Sequence, residues 1–319
     1  MTEFPPFDGC VLVTRGDEVR YRASSGFADL AAGQPCSPAT RFQLASVSKQ
    51  FTATAILLLA EANRLRLDDH LNDWIGGGPD SWRDITIHQL LTHSSGLGHW
   101  PEYPEIDLVS PMDPAAIVPA FQAKDPIQPP GKAFHYSSPG YGLLAAIVEH
   151  AGGMAYRDFL ADSIFGPAGM HDSFAGDPAG RTEVALGYDG DRPRPSFELD
   201  VVGKGAGDLW STVDDMWRWN RAVADGLVLS QRSREQAFTP YVHMDIDGQD
   251  DDYGYGWQLG RHSGTTVRHH TGNNAGFRSY NAWLPEHDAA IIVLINHEER
   301  FNSEVIKTIL DAAIAVIAE

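Results

Sequence analysis

The chain has 319 residues and a formal net charge of −19 at pH 7, with 43% hydrophobic and 21% charged residues. This composition is typical of a soluble globular protein that is long enough to bury a sizeable core. The negative charge disfavours binding to nucleic acid or to an anionic membrane surface, because both present phosphates that require clustered cations. We therefore expect neither nucleic acid nor a membrane as a partner.

The N-terminal region combines no basic flank with an apolar run, so the sequence predicts no secretory signal. The longest apolar run, residues 53–60, is too short to span a bilayer. Cys10 and Cys36 are too few for a disulfide framework and lack the spacing of metal ligands. Two free thiols in a reducing compartment are the simplest interpretation, so we expect a cytoplasmic protein, provided that the sequence is not a trimmed form.

The elements predicted in chain order begin with a hairpin, in which residues 9–14 and 18–23 are rich in β-formers and residues 15–17 provide the turn. A long apolar helix follows and ends near Asn63. Strand signals then fade between residues 74 and 195. Helical periodicity replaces them in four segments separated by proline-rich loops, at residues 85–93, 114–122, 141–151 and 156–165.

The last third of the sequence returns to strands. Ser211 and Asp214 have the spacing of a capping box and predict the start of a helix. Four strand candidates follow, at residues 253–259, 266–270, 278–284 and 289–296. An amphipathic helix at residues 303–319 closes the chain.

This order of elements predicts an α+β fold. The simplest arrangement is a mostly antiparallel sheet built from both termini and flanked by helices, with an inserted all-helical lobe. We predict one lobe from residues 1–73 and 203–319 and the inserted lobe from residues 74–202. The active site is expected in the cleft between them.

Three common functional motifs are absent. No serine has glycine at both −2 and +2, which excludes the nucleophile elbow of α/β-hydrolases. The run that begins at His297 is not H-E-x-x-H, the helix motif of zinc proteases. The acidic run at residues 245–252 lacks the order of a calcium-binding loop, and we expect it to be a solvated loop.

Ser46 and Lys49 stand three residues apart at the start of the long apolar helix. Residues at i and i+3 share a helix face, so the Lys49 amine can reach the Ser46 hydroxyl. Burial disfavours the ammonium form of lysine, and a neutral lysine can take the hydroxyl proton. The pair therefore predicts a nucleophile and its base. A helix-capping serine beside a snorkelling lysine would have the same spacing.

Two further segments follow this pair in the sequence, Tyr136-Ser137-Ser138 and His270-Thr271-Gly272. With these blocks the chain resembles the serine β-lactamase and penicillin-binding protein superfamily, whose motifs are S-x-x-K, Y-x-N and K-T-G or H-T-G. It looks closest to the branch of class C β-lactamases, D-alanyl-D-alanine carboxypeptidases and related esterases. The segments LLTHSSGL, GDLWSTVDDM and YGYGWQL extend the resemblance over nearly the whole chain.

The resemblance implies acyl transfer through an acyl-enzyme on Ser46, with Lys49 and Tyr136 as the other catalytic residues. Tyr136 would direct its phenol at the pair and move a proton. The backbone N–H groups of Ser46 and Asn273 would form an oxyanion hole. The further substrate-binding residues that it implies are Ser138, His270, Thr271 and Gly272. Neither a metal nor an organic cofactor is implied.

Several positions refine this expectation. Gly272 has no side chain, which would let the substrate backbone approach closely. Ser138 stands where the family often has asparagine, and a hydroxyl reaches less far than a carboxamide, so recognition of an acylamide is in doubt. His270 replaces the lysine of K-T-G, and a histidine that is mostly neutral at pH 7 is a weaker partner for a carboxylate. We expect His93 to hydrogen-bond loop backbone, and Trp100 either to line the cleft or to pack.

The sequence thus predicts a cytoplasmic serine hydrolase for a small-molecule ester or amide, with carboxylesterase as the leading activity. Only eight residues precede the first strand, which further disfavours an exported cell-wall enzyme. The open alternatives are a D-amino-acid amidase or carboxypeptidase, a weak β-lactamase, a biosynthetic acyltransferase, and a non-catalytic sensor of β-lactam-like ligands. The acyl and leaving groups, the stereochemistry and the oligomeric state are not determined.

Overall fold

Strands from both ends of the chain meet in one large sheet. The computed structural model describes residues 7–108, 112–194, 203–246, 249–300 and 303–318. The strands are β1 Gly9–Arg15, β2 Glu18–Ser25, β3 Phe27–Asp29, β4 Gln34–Pro35, β5 Phe42–Gln43, β6 Phe174–Ala175, β7 Tyr188–Asp189, β8 Arg192–Pro193, β9 Leu209–Ser211, β10 Val242–Ile246, β11 Gln249–Tyr253, β12 Gln258–His262, β13 Thr265–Asn274, β14 Phe277–Leu284 and β15 Ala289–Ile295.

Helices flank this sheet and fill most of the middle of the chain. The α-helices are α1 Lys49–Glu61, α2 Leu71–Trp74, α3 Ile87–Leu91, α4 Pro114–Gln122, α5 Ser138–Gly152, α6 Tyr156–Leu160, α7 Gly166–Ala168, α8 Val213–Asp225, α9 Gln231–Ala237 and α10 Ser303–Ala318. A π-helical segment, Ala161–Phe165, joins α6 to α7. Within the described ranges, no helix is both long enough and apolar enough to cross a membrane.

The large sheet has eight strands in the order β10-β11-β12-β13-β14-β15-β1-β2, and every neighbouring pair is antiparallel. The N-terminal hairpin therefore pairs with the last strand of the chain. This confirms the predicted α+β fold with a sheet built from both termini.

Strand β15 is buried along its whole length because helices cover both faces of the sheet. Ile292 and Leu294 belong to the apolar cluster that includes α1 and α8, whereas Ile291 and Val293 pack with α10. Burial on both faces explains why this strand is a continuous apolar run rather than an alternating one.

Helix α1 lies in the centre of the molecule, between the sheet and the helices α5, α6 and α9. Nearly all of its side chains are buried, which explains its apolar and small residues. A 3₁₀ turn, Ala45–Ser48, precedes it, so Ser46 lies ahead of the α-helix itself. The helix gives way to coil just before Asn63, as predicted.

Three details of the predicted elements are wrong. Residues 253–259 are predicted as one strand, but they include the end of β11, a connection at residues 254–257 and the start of β12. Gly256 turns there with φ +75, and a Cβ at this position would lie 2.6 Å from the Lys49 carbonyl oxygen. The helix after β9 is capped by Thr212, whose hydroxyl accepts from Asp215 N, and not by Ser211, which ends the strand. The acidic run at residues 245–252 lies in the β10–β11 hairpin rather than in a loop, with residues 247–248 outside the described residues.

The middle of the chain is mainly helical and also contains three two-residue strands, β6, β7 and β8. Strand β6 pairs with β9, which in turn pairs with β5. This small sheet crosses the predicted lobe boundaries, and the division at residues 73 and 203 stays a prediction.

Gly272 lets strand β13 lie directly against the turn that carries Ser46. Strand β12 pairs with β13 only as far as His269, so the edge beyond it is open to that turn. A Cβ at Gly272 would overlap the Leu44 carbonyl oxygen and the Ser279 hydroxyl. The glycine is therefore required for packing within the protein, whether or not a substrate also approaches it.

We expect Gly272→Ala to lower the free energy of unfolding by roughly 1–3 kcal/mol, because the added methyl group overpacks the contact between β13 and the turn. Activity should fall with it, since the turn positions Ser46. Gly76→Ala is a matched control, because a Cβ at Gly76 meets nothing within 4 Å. Urea unfolding of both variants measures the difference, and equal stabilities would contradict the packing role.

Candidate active site

The 3₁₀ turn holds Ser46 in a constrained position. Leu44 N donates to Leu209 O at 2.7 Å, and Ser279 Oγ donates to Leu44 O at 2.5 Å. Ala45 has φ 47, a left-handed conformation that is unfavourable for a non-glycine residue. Ser46 follows directly and is half-buried. Contacts from two other segments thus anchor the residue that precedes the strained position.

Lys49 is fully buried, with 0% of its surface exposed. Its Nζ lies 3.0 Å from Ser46 Oγ, 3.3 Å from Ser138 Oγ and 2.9 Å from Ala206 O. A carbonyl oxygen can only accept, so Ala206 O takes one N–H of the amine. In the neutral form a second N–H goes to Ser138 and the lone pair is left for the Ser46 hydroxyl. This geometry suits the removal of a proton from Ser46.

The first residue of α5 and the segment before it bring Ser138 and Tyr136 to the same amine. Lys49 Nζ lies 4.9 Å from the centroid of the Tyr136 ring, and this ring is half-buried. Ser138 is only 4% exposed, and its hydroxyl is engaged with Lys49. Ser138 accepts a hydrogen bond from Lys49, and its burial leaves little of its hydroxyl open to a substrate.

His270 is buried, with 1% of its own surface exposed. Its Nδ1 lies 2.7 Å from Thr271 O, which can only accept, so Nδ1 carries the proton and Nε2 accepts from the Tyr253 hydroxyl at 2.9 Å. Burial, and then the charge of Lys49, lower the pKa of His270 to about 3. The His270 side chain is therefore neutral and does not itself present a charge to a substrate.

The remaining predicted residues follow on the open edge of β13. Thr271 is half-buried, Gly272 is buried against the turn, and Asn273 is exposed. Because Gly272 contacts the residues just before Ser46, the strand carries Asn273 past the same turn. The oxyanion hole from the N–H groups of Ser46 and Asn273 stays a prediction.

Two histidines from the loop after α3 accept hydrogen bonds from the start of α5. Ser137 N donates to His93 Nδ1 at 3.0 Å, and Ser138 N donates to His99 Nδ1 at 3.3 Å. His93 thus hydrogen-bonds loop backbone, as expected from the sequence. Burial, and then Lys49, lower the pKa of His93 far below its usual value and that of His99 to about 4. Both rings are neutral acceptors near pH 7.

Sequence reasoning missed three groups at this site. Ala206 acts through its carbonyl oxygen, so its residue type gives no signal. Tyr253 lies in a segment that carries a strand signal and part of the family resemblance, and neither assigns it a contact with His270. His99 lies within THSSGLGHW, between two residues that were considered, and its nearness to Tyr136 depends on the tertiary fold. Trp100, half-buried, has its ring 6.3 Å from that of Phe121.

The arrangement can perform acyl transfer. A serine hydroxyl next to a buried amine supplies the nucleophile and its base, and a phenol lies beside them. In the part of the chain that the structure describes, no group of three or more His, Cys, Asp or Glu side chains is placed to hold a metal ion.

Comparisons with known proteins agree with this chemistry. The family model described as Beta-lactamase matches residues 8–315. Penicillin-binding protein 4* of Bacillus subtilis (strain 168) is 32% identical over 336 aligned positions, which cover 96% of this chain and 71% of that protein. The D-aminopeptidase of Brucella canis is 27% identical, and the alignment covers 97% of this chain and 60% of that protein.

A solved structure gives the same result for the fold. The crystal structure of D-amino acid amidase from Ochrobactrum anthropi SV3 superimposes with a TM-score of 0.84 at 25% identity, covering 97% of this chain and 94% of that chain. The likeness therefore extends over both the large sheet and the helical segments.

We expect Lys49→Met to slow acylation of Ser46 by roughly 10²–10⁴-fold, because methionine fills a similar volume but cannot take the proton. Lys204→Met is a matched control, since Lys204 pairs with Glu149 away from Ser46. The rate of acyl-enzyme formation by intact-protein mass spectrometry, with circular dichroism to check folding, measures the effect. A Lys49 variant that acylates at the wild-type rate would refute the assignment of the base.

We expect stability to decrease as the pH falls below about 6.5, because the folded chain resists protonation of His93, His99 and His270. The unfolded chain takes up these protons near pH 6.5, whereas folded His270 does so only at about 3, so unfolding is favoured in between. His99 and His270 each contribute a loss of roughly 2 kcal/mol between pH 7.5 and 5, and His93 adds a loss in the same direction.

The measurement for this prediction is urea unfolding at several pH values between 7.5 and 5. His270→Asn should reduce the pH-dependent loss of stability by roughly 2 kcal/mol, since the contribution of His270 is removed. Equal pH dependence in the wild type and the variant would contradict the lowered pKa of His270.

Proposed function

The chain belongs to the β-lactamase family and is a serine hydrolase, and on this premise we propose that it hydrolyses small uncharged esters as a carboxylesterase. Ser46 is the nucleophile, Lys49 its base and Tyr136 a proton carrier. The substrate is a small molecule whose leaving group bears no carboxylate.

The reaction begins with attack of Ser46 Oγ on the ester carbonyl carbon. Lys49 Nζ takes the hydroxyl proton as the Oγ–C bond forms, and the tetrahedral oxygen accepts from the N–H groups of Ser46 and Asn273. The bond from carbon to the leaving oxygen then breaks, and a proton passes to that oxygen through Lys49 and Tyr136. Water repeats the sequence on the acyl-enzyme and releases the acid.

The observation that carries this proposal is the neutral, buried state of His270. His270 belongs to β13, and its ring is buried. Nδ1 is hydrogen-bonded to Thr271 O and Nε2 to the Tyr253 hydroxyl. A substrate carboxylate would lose hydration at this place and gain no opposite charge from His270. Substrates without a leaving-group carboxylate avoid this cost, which favours simple esters over peptides with a free C-terminus.

A D-amino acid amide is the second candidate, because it too lacks a leaving-group carboxylate. Its support is the likeness to the D-amino acid amidase of Ochrobactrum anthropi, at 25% identity and a TM-score of 0.84. The relative named D-aminopeptidase points the same way, although this chain spans three fifths of its length. An acyltransferase would use the same acyl-enzyme and differ only in the acceptor, an alcohol or amine instead of water.

We expect wild-type protein to hydrolyse phenyl acetate with repeated turnover, and Ser46→Ala to show none. We also expect 3-carboxyphenyl acetate, which differs only by a carboxylate on the leaving group, to have a kcat/KM at least tenfold lower, because His270 offers it no charge. Release of the phenols in a stopped assay measures both rates.

The panel for the same experiment includes D- and L-phenylalanine amide, a penicillin, and phenyl acetate with an added alcohol. Faster turnover of the D-amide than of phenyl acetate would contradict the esterase proposal and support an amidase. Acyl transfer to the alcohol in preference to water would indicate the transferase. Acylation by the penicillin without turnover of any substrate would indicate a sensor.

A further inference from the structure

His93 and His99 make the same kind of hydrogen bond through Nδ1 and differ in the surroundings of Nε2. Each accepts a backbone N–H at the start of α5 through Nδ1. A neutral imidazole that accepts at Nδ1 carries its proton on Nε2, so both residues have an Nε2–H donor. The use of that second donor distinguishes the two residues.

The Nε2 of His93 is buried and has no hydrogen-bond partner among the described residues. The Nε2 of His99 likewise has no such partner in the part of the chain that the structure describes, but it is not among the buried atoms. Its ring belongs to a half-buried residue. His99 therefore presents an N–H donor to solvent from an anchored ring.

This donor lies close to the catalytic group. The Ser138 N–H that anchors His99 belongs to the residue whose hydroxyl contacts Lys49. The His99 ring also stands edge-on to the Tyr136 ring, with centroids 5.4 Å apart and an interplanar angle of 81°. His99 is thus connected to Lys49 twice, once through Ser138 and once through Tyr136.

Ser138 is poorly placed to donate to a substrate in this region, because only 4% of its surface is exposed and its oxygen already accepts from Lys49. We propose that His99 is a specificity-determining residue whose Nε2–H donates to an acceptor oxygen on the acyl part of the substrate. The substrate class is then an ester with a second carbonyl oxygen on its acyl side, such as an N-acylated amino-acid ester. This inference rests on the proposed esterase function.

Two substitutions separate this donor from the anchoring acceptor. In His99→Asn the amide oxygen takes the place of Nδ1 and still accepts from Ser138 N, but no donor replaces Nε2. In His99→Gln the amide nitrogen reaches the place of Nε2 and donates, while the Nδ1 acceptor is lost. His150→Asn, an exposed histidine on α5, is the matched control.

Each variant is tested with two p-nitrophenyl esters of equal acyl length, that of N-acetylglycine and that of pentanoic acid. We expect the wild type to prefer the N-acetylglycine ester. His99→Asn should lower kcat/KM for it by roughly three- to tenfold, the effect of one neutral hydrogen bond, with the pentanoate changed less than twofold. His99→Gln should keep the preference, and His150→Asn should change neither ester.

Other outcomes overturn the inference. Equal losses on both esters, greater in His99→Gln than in His99→Asn, would assign His99 to positioning the start of α5 alone. No change in either His99 variant, or a wild type without preference, would show that Nε2–H does not contact the substrate. A wild type that hydrolyses neither ester would instead refute the esterase function, which Ser46→Ala tests separately.

Discussion

The burial of the Lys49 amine is the constraint on which the rest of the site depends. A polar group that is removed from water must find hydrogen-bond partners inside the protein, or its burial costs several kcal/mol. Here the partners are oxygens of Ser46, Ser138 and Ala206, which come from three separate segments of the chain. The contacts that stabilise the buried lysine therefore also bring Ser46, Ser138 and the Ala206 carbonyl together.

The same buried amine governs the chemistry of its neighbours. Desolvation and the charge of Lys49 together keep His93, His99 and His270 neutral. A neutral imidazole can accept a backbone N–H, and two of these rings do so at the start of α5. The third is held between the Tyr253 hydroxyl and a carbonyl oxygen. All three rings therefore hold the surrounding backbone and side chains through hydrogen bonds, and His270 provides no cation for a substrate carboxylate.

Close packing of backbone segments fixes the position of Ser46. Ala45 holds an unfavourable left-handed conformation immediately before Ser46, and strand β13 presses on the same turn through Gly272. Strain of this kind persists only where surrounding contacts fix it. The hydrogen bonds of Leu44 to β9 and to Ser279 provide those contacts. A small displacement of β13 would therefore shift the position of Ser46 Oγ.

The sequence by itself determined the type of fold and the contact between Ser46 and Lys49. Runs of β-forming residues and the turns between them predicted β1, β2 and β14, and a continuous apolar run predicted β15. The spacing of Ser46 and Lys49 predicted their contact. These signals are local properties of the sequence. Local patterns failed at residues 253–259, where close approach to α1 requires a turn that β-rich side chains do not reveal. The tertiary structure alone decided that Ala206 accepts from Lys49, that Ser138 is engaged, and that His99 stands beside Tyr136. These contacts join residues that are far apart in sequence or act through backbone atoms, so no local pattern of residue types encodes them.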